Sequence, residues 1–205
     1  MVAAASVIDV RTDSPRKSDR FFVDTNVWRF FTYAKFTTGN IPDQQRKAQI
    51  YSSYVSKCLV AGAVLLWSPL SYSELSSVVE RTELDIYNTG HVSAQSSLKD
   101  FRLGTAERAA VVAEVDAAWG QIDSIGSMLQ TPCDAAALNA AIALFQNHPL
   151  DGYDIFYVNA MHAANVNAVV SDDIDFTHIP NLNVFTANDK AIRQAALFPR
   201  VAKTR

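Results

Sequence analysis

The feature that most constrains this chain is a short apolar run that stops abruptly at a carboxylate: Phe21-Phe22-Val23 is followed at once by Asp24-Thr25-Asn26-Val27. A brief, wholly apolar run bounded by polar residues is the pattern of a strand buried on both faces. Such strands belong to parallel sheets, whose functional groups gather at the carboxyl ends. The same design returns late in the chain, where Ala168-Val169-Val170-Ser171 runs into Asp172-Asp173-Ile174-Asp175-Phe176. Two strand ends therefore carry carboxylates, and their relation depends on what lies between them.

What lies between alternates in period. Val27 to Lys35 has helical spacing, with Thr25 or Asn26 placed to cap it and Asp24 beside the positive end of the helix. Thr37 to Pro42 reads as a loop. From Asp43 onward, Ala48, Tyr51, Tyr54, Val55, Cys58 and Leu59 mark one buried helix face, which Gly62 ends. Val64-Leu65-Leu66-Trp67 is a second buried strand, and Ser71-x-x-Glu74 has the form of a capping box opening the next helix. Asn88 to Asp100 reads as a loop. Thr105 to about Gln121 is a helix with Ala109, Val112, Val115, Ala118 and Trp119 inward and Glu107, Arg108, Glu114 and Asp116 on a solvated face.

Ser127 to Gln130 is either a third strand or the tail of that helix. Asp134 to Asn147 is helical, as is the segment that begins at Asp154. After the strand at Ala168 come a short turn near Phe176 to Ile179, a last strand at Leu182 to Thr186 and a last helix at Asp189 to Leu197. Strands alternating with helices imply a three-layer α/β/α fold around a mainly parallel sheet of four to five strands, with a helical insertion at about residues 85–125. Met1 to Arg20 shows no sustained period and reads as a poorly ordered extension. That leaves 21–198 as the domain and 199–205 as a tail, and a chain of 205 residues suits one generous domain.

Composition excludes several classes of function. A net charge of −3 argues against a partner held by a broad basic surface, although a carboxylate cluster loaded with cations presents positive charge locally. Cys58 and Cys133 have no second Cys or His at metal-ligand spacing, and both read as small buried residues of a reducing compartment. The longest apolar run, Cys58 to Trp67, is about half of what a membrane span needs. With no secretory signal visible at the N-terminus, the chain reads as cytoplasmic.

If the first and fourth of the expected strands are neighbours, Asp24 and Asp173 face one crevice. Asp154 in the first turn of its helix and Glu74 just after the second strand can reach the same edge. Carboxylates so close repel one another unless a hard cation joins them, and Mg²⁺ or Mn²⁺ with carboxylate oxygens supports phosphodiester hydrolysis. No Ser-His-Asp or Cys-His arrangement competes, and His162 reads as packed or solvated.

In combination, Val23-Asp24-Thr25-Asn26-Val27, Glu74, Asp154-Ile155-Phe156-Tyr157-Val158-Asn159-Ala160 and Val169-Val170-Ser171-Asp172-Asp173-Ile174-Asp175-Phe176 resemble the four acidic motifs of PIN-domain ribonucleases. The resemblance spans about residues 20–198. It implies a metal-dependent, single-strand-directed RNase of the kind found as the toxin in VapC-type toxin-antitoxin pairs. On that resemblance Asp24, Glu74, Asp154 and Asp173 are the metal-binding acids, Asp175 is an accessory acid, and Asn26 and Ser171 orient the acids. RNA is then the substrate and a small antitoxin the partner. A homodimer is implied as well, with the Thr105 helix as a candidate surface.

Three points depart from the pattern, the first being that the chain is longer than the compact toxins, through its N-terminal extension and the segment Asp85 to Arg108. Asp172 stands where many relatives have a basic or polar residue, and Asp151 lies close enough to Asp154 to compete with it. Two other readings stand beside the nuclease. One is an α/β phosphatase using Asp24 as nucleophile, although Asn26 replaces the second acid such a loop uses. The other is a non-catalytic interaction module. Trp28, Phe31 and Tyr33 have the chemistry to stack on bases, but their helical spacing favours core packing.

Overall fold

The computed structural model describes residues 5–37 and 42–197. In chain order the elements are β1 (Ser6–Asp9), β2 (Arg20–Val23), α1 (Thr25–Thr32), α2 (Pro42–Ala61), β3 (Val64–Trp67), α3 (Pro69–Gly90), α4 (Leu98–Leu103), α5 (Thr105–Ile125), β4 (Ser127–Met128), α6 (Ala135–Asn147), α7 (Asp154–Ala163), β5 (Ala168–Val170), β6 (Asn183–Thr186) and α8 (Asp189–Ala196). Two 3-10 turns, Ala34–Thr37 and Asp175–His178, follow α1 and β5. The loop expected at 37–42 lies largely outside the described residues, as does the tail at 199–205.

Among the described residues six strands form one sheet in the order β1-β6-β5-β2-β3-β4, every neighbouring pair parallel. The sheet exceeds the expected four to five strands by one, at its β1 edge. At one edge, the expectation of a poorly ordered extension up to Arg20 is corrected. Ser6 lies opposite Asn183 and Asp9 opposite Thr186 in a continuous ladder, and Val7, Ile8 and Val10 are buried. Two β-branched residues among Ala, Ser and Asp show no period by themselves; β6 supplies the hydrogen-bonding partner that makes them a strand. At the other edge, the two residues of β4 pair with the end of β3.

Strand alternation divides the core in two. Phe21, Val23, Leu65, Val170 and Phe185 point to one face, where Trp28 of α1, Tyr51 and Tyr54 of α2, Leu75 of α3 and Val115 of α5 cover them. Phe22, Leu66, Val169 and Val184 point to the other, beneath Tyr157, Val158 and Met161 of α7. Strands apolar on both sides thus demand helices on both sides, and a three-layer α/β/α architecture results. Trp28 and Tyr33 are buried in the first of these cores, which removes them as base-stacking surfaces.

The helical insertion differs from expectation in detail. α3 continues to Gly90, and α4 starts at Leu98 with Ser97 as its cap, so helix takes up part of the loop expected at 88–100. In α5 the inward residues are Val111, Val115, Ala118 and Ile122, while Val112 is exposed. Arg108 and Glu114, expected on a solvated face, pair with Glu80 and Lys35 respectively. Cys58 is buried as expected, but Cys133 is exposed. No described helix is long and apolar enough to cross a membrane.

Candidate functional site

The chain turns from one half of the sheet to the other between β2 and β5. These strands are paired, with Phe22 opposite Val169 and Val23 opposite Val170, so the residues that follow them emerge side by side at the carboxyl edge. Asp24 follows β2 directly, and its amide donates to Val170 O at 3.0 Å, continuing the ladder into the site. It then occupies the cap position of α1, one residue before the expected Thr25 or Asn26, without a side-chain capping bond. Its carboxylate is turned to β5 instead. Ser171 Oγ donates to Asp24 Oδ2 at 2.5 Å and Asn26 Nδ2 donates to the same oxygen at 2.6 Å.

Ser171 also accepts from the Asp173 amide at 2.9 Å, so one hydroxyl ties the first-strand acid to the backbone of the fourth-strand acid. Asn26 completes the link by accepting from the Asp172 amide at 3.1 Å. Asn26 and Ser171, two of the three accessory residues named from the sequence, therefore hold the two strand ends together. Asp173 Oδ1 accepts from the Asp175 amide at 2.8 Å, which fixes the loop into the following 3-10 turn.

Asp154 opens α7 and is buried. Its neighbour Asp151 is exposed and accepts from the amides of Tyr153 and Asp154 at 3.0 and 3.2 Å. Asp151 is thus the acid that starts the helix, and Asp154 is the one delivered to the crevice. Glu74 has lost its expected capping role. The capping box of α3 is formed one turn earlier by Ser68 and Ser71, with Pro69 in the first helical position. Glu74 lies further along the helix and accepts from the Tyr157 hydroxyl at 2.9 Å.

The electrostatics place these groups in one field. Burial and then Glu74 push the Asp24 pKa up to about 7, with Asp173 adding to the rise and the Ser171 hydrogen bond opposing it. Burial pushes Asp154 up to about 9, with Asp24, Asp151, Asp173 and Glu74 all contributing. Asp175 is raised by burial first and by Asp173 next. Asp24, Glu74, Asp154 and Asp173, singled out from the sequence, therefore lie within reach of one another's charge.

Asp172 does not join them. Lys47 Nζ meets its Oδ2 at 2.8 Å, Tyr51 donates to its Oδ1 at 2.9 Å, and Asn188 Nδ2 donates to its carbonyl at 2.7 Å. It anchors α2 and the start of α8 to the β5 loop. Two other residues lacked a clear signal in the sequence. Tyr157 stands three positions after Asp154, on the same face of α7, where a buried aromatic reads simply as core. Arg29 of α1 is half-buried within the field of Asp24, Glu74 and Asp172; burial lowers its pKa while those acids oppose the change.

The donor chemistry suits a hard divalent cation, since every acid offers oxygen, and burial, reinforced by mutual repulsion, favours the protonated forms of Asp24 and Asp154. Among the described residues, no three His, Cys, Asp or Glu side chains close around a point as a ready-made metal cage. Thr25 Oγ1 is buried beside Asp24 and has no hydrogen-bond partner among the described residues.

No family model matches the chain, and no curated protein matches it. Among solved structures, the crystal structure of VapBC2 from Rickettsia felis, bound to a DNA fragment from their promoter, is similar to it. The TM-score is 0.47 and the identity 15%, over 82% of this chain and 98% of that one. At that distance the likeness does not extend to the chemistry of the site.

Proposed function

We propose that this chain is a divalent-metal-dependent endoribonuclease that hydrolyses phosphodiester bonds in single-stranded RNA. The observation that carries the proposal is that Asp24, at the paired ends of β2 and β5, and Asp154, at the start of α7, both feel the charge of Asp173 and Glu74. These four acids would hold Mg²⁺ or Mn²⁺, which when bound supplies Lewis acidity to a phosphodiester and charge stabilisation to its leaving oxygen.

The chain's own contribution is to prepare that place. Ser171 and Asn26 fix the Asp24 rotamer through a shared oxygen. Asp173 is set by the Ser171 and Asp175 backbone contacts. Asp175 is the accessory acid. Arg29 lends positive charge on the α1 side, where a phosphate would otherwise meet only carboxylates. Burial keeps the local dielectric low, so each of these charges acts strongly.

The phosphatase reading is disfavoured because Asn26 uses both ends of its amide, on Asp24 and on the Asp172 backbone. Position 26 therefore carries no acid to serve as the general acid of such a loop. The module reading is disfavoured by cost, since burying mutually repelling carboxylates opposes folding. A toxin role, a small antitoxin partner and a homodimer belong to the proposal through the motif resemblance.

The test is cleavage of a fluor-quenched single-stranded RNA with Mn²⁺. Cleavage that stops with EDTA and with Asp24→Ala or Asp173→Ala supports the nuclease, and activity surviving both substitutions overturns it. Growth arrest on expression, rescued by an adjacent small open reading frame, tests the toxin role separately.

A further inference from the structure

Glu74 and Tyr157 come from opposite helical layers. α3 sends Leu75 and Val79 into one core and α7 sends Tyr157, Val158 and Met161 into the other. Their polar ends nevertheless meet over the carboxyl edge of the sheet, where the Tyr157 hydroxyl donates to Glu74 Oε2 at 2.9 Å.

The two partners are unequally constrained. Tyr157 is fully buried, and its ring packs against Phe22 of β2 with centroids 4.9 Å apart. A ring wedged between helix and sheet has few rotamers left. Glu74 is half-buried on a side chain with three rotatable bonds, which would otherwise sample several positions at the rim. The Thr25 and Ser71 hydroxyls also lie near the phenol.

We propose that Tyr157 is a positioning residue for the site, holding one oxygen of Glu74 so that the other is presented to the divalent cation. The inference rests on the nuclease reading. One helix then does two things: its first residue, Asp154, enters the crevice, and the residue one turn later aims an acid contributed by another helix. A hydrogen-bonded partner behind a metal ligand commonly changes metal affinity by about 10- to 100-fold.

The experiment is calorimetric titration of Mn²⁺ into the EDTA-dialysed full-length protein, comparing the parent with Tyr157→Phe, Glu74→Gln, the double variant and Asp24→Asn. Tyr157→Phe keeps the ring and removes only the hydroxyl, and circular dichroism checks that each variant folds. The expected result is Mn²⁺ binding by the parent, strongly reduced in Asp24→Asn and weakened roughly 10-fold in Tyr157→Phe. In the Glu74→Gln background Tyr157→Phe should make almost no further difference, because its effect passes through Glu74.

A purely structural phenol would lower the melting temperature and leave Mn²⁺ affinity at the parent value, which overturns the inference alone. Equal weakening by Tyr157→Phe with and without Glu74 also overturns it. A parent that binds no Mn²⁺, or binds it just as well after Asp24→Asn, overturns the nuclease reading and this inference together.

Discussion

Two buried acids of this protein, Glu80 and Asp24, are 6% and 3% exposed and have opposite fates. Glu80, on α3, accepts from Arg102 Nε at 2.8 Å, from Arg102 Nη2, and from Arg108 Nη1 at 3.2 Å. The Arg102 hydrogen bond holds its pKa below the usual carboxylate range. Glu83, one turn on, is served by Tyr33 at 2.6 Å and Lys35 at 3.0 Å. Asp24 instead takes its hydrogen bonds from a neutral hydroxyl and a neutral amide, and its field is dominated by other acids. Both side chains are closed off from solvent, but Asp24 lies deeper, so burial raises its pKa first, and the counter-charge differs as well. Acids matched by cations fasten the α4–α5 segment to α3, whereas the acids at the β2–β5 edge carry a surplus of negative charge that a cation would relieve.

The contrast breaks most visibly on substitution. Asp24→Asn or Asp173→Asn should lower RNA cleavage by at least about 100-fold in a fluorescence assay, as expected when a metal ligand is lost. Asp24→Asn should at the same time raise the melting temperature of EDTA-dialysed protein at pH 8, because it removes a buried charge. A drop in melting temperature would count against the charge surplus.

Acidity sharpens the comparison next. In the folded chain Asp24 and Asp154 titrate near 7 and near 9, well above their ordinary value of 3.8. The folded state therefore keeps protons that the unfolded chain has already released, and the contribution of these two groups is most favourable in acid. It is lost as pH rises from about 4 through 7 for Asp24 and through 9 for Asp154, by at most about 1.4 kcal/mol per pH unit for each group. Glu80 acts with the opposite sign, its contribution disappearing as pH falls below the ordinary glutamate range. Denaturation followed from pH 5 to 9 in EDTA checks this, and a flat profile would deny the surplus.

Smaller effects should come from the matched acids. Glu83→Ala leaves the Tyr33 hydroxyl buried without its acceptor, which should cost about 1–3 kcal/mol in urea denaturation and leave cleavage intact. Glu80→Ala should also lower stability without touching cleavage. Asp172→Asn is expected to be mildest, at about 1 kcal/mol or less with near-parent activity, since Asp172 ties α2 to the β5 loop rather than entering the crevice. Loss of cleavage in Asp172→Asn would move it into the acid cluster.

How far the sequence reveals this arrangement depends on whether a residue's role is local. Phe21 to Val23 and Ala168 to Val170 declare themselves as doubly buried strands, but alternation with helices leaves open whether Asp24 and Asp173 are neighbours, which the β2–β5 pairing decides. β1 was hidden because Val7 and Ile8 become a strand only against β6. Ser71-x-x-Glu74 has the form of a capping box because Ser71 does take part in one, as the partner of Ser68 rather than of Glu74. Tyr157, Arg29 and the Glu80 pairing depend on helices brought together from distant parts of the chain. Local spacing carries no record of such contacts.

The central claim is that the β2–β5 edge holds acids in need of a divalent cation. Thermal melting of the parent and of Asp24→Asn, each in EDTA and in millimolar Mn²⁺ at pH 6 and pH 8, tests it most directly. The expected result is a Mn²⁺-dependent rise in the parent melting temperature that is larger at pH 8 than at pH 6 and absent from Asp24→Asn. An equal rise in both proteins, or none in the parent, would contradict the account.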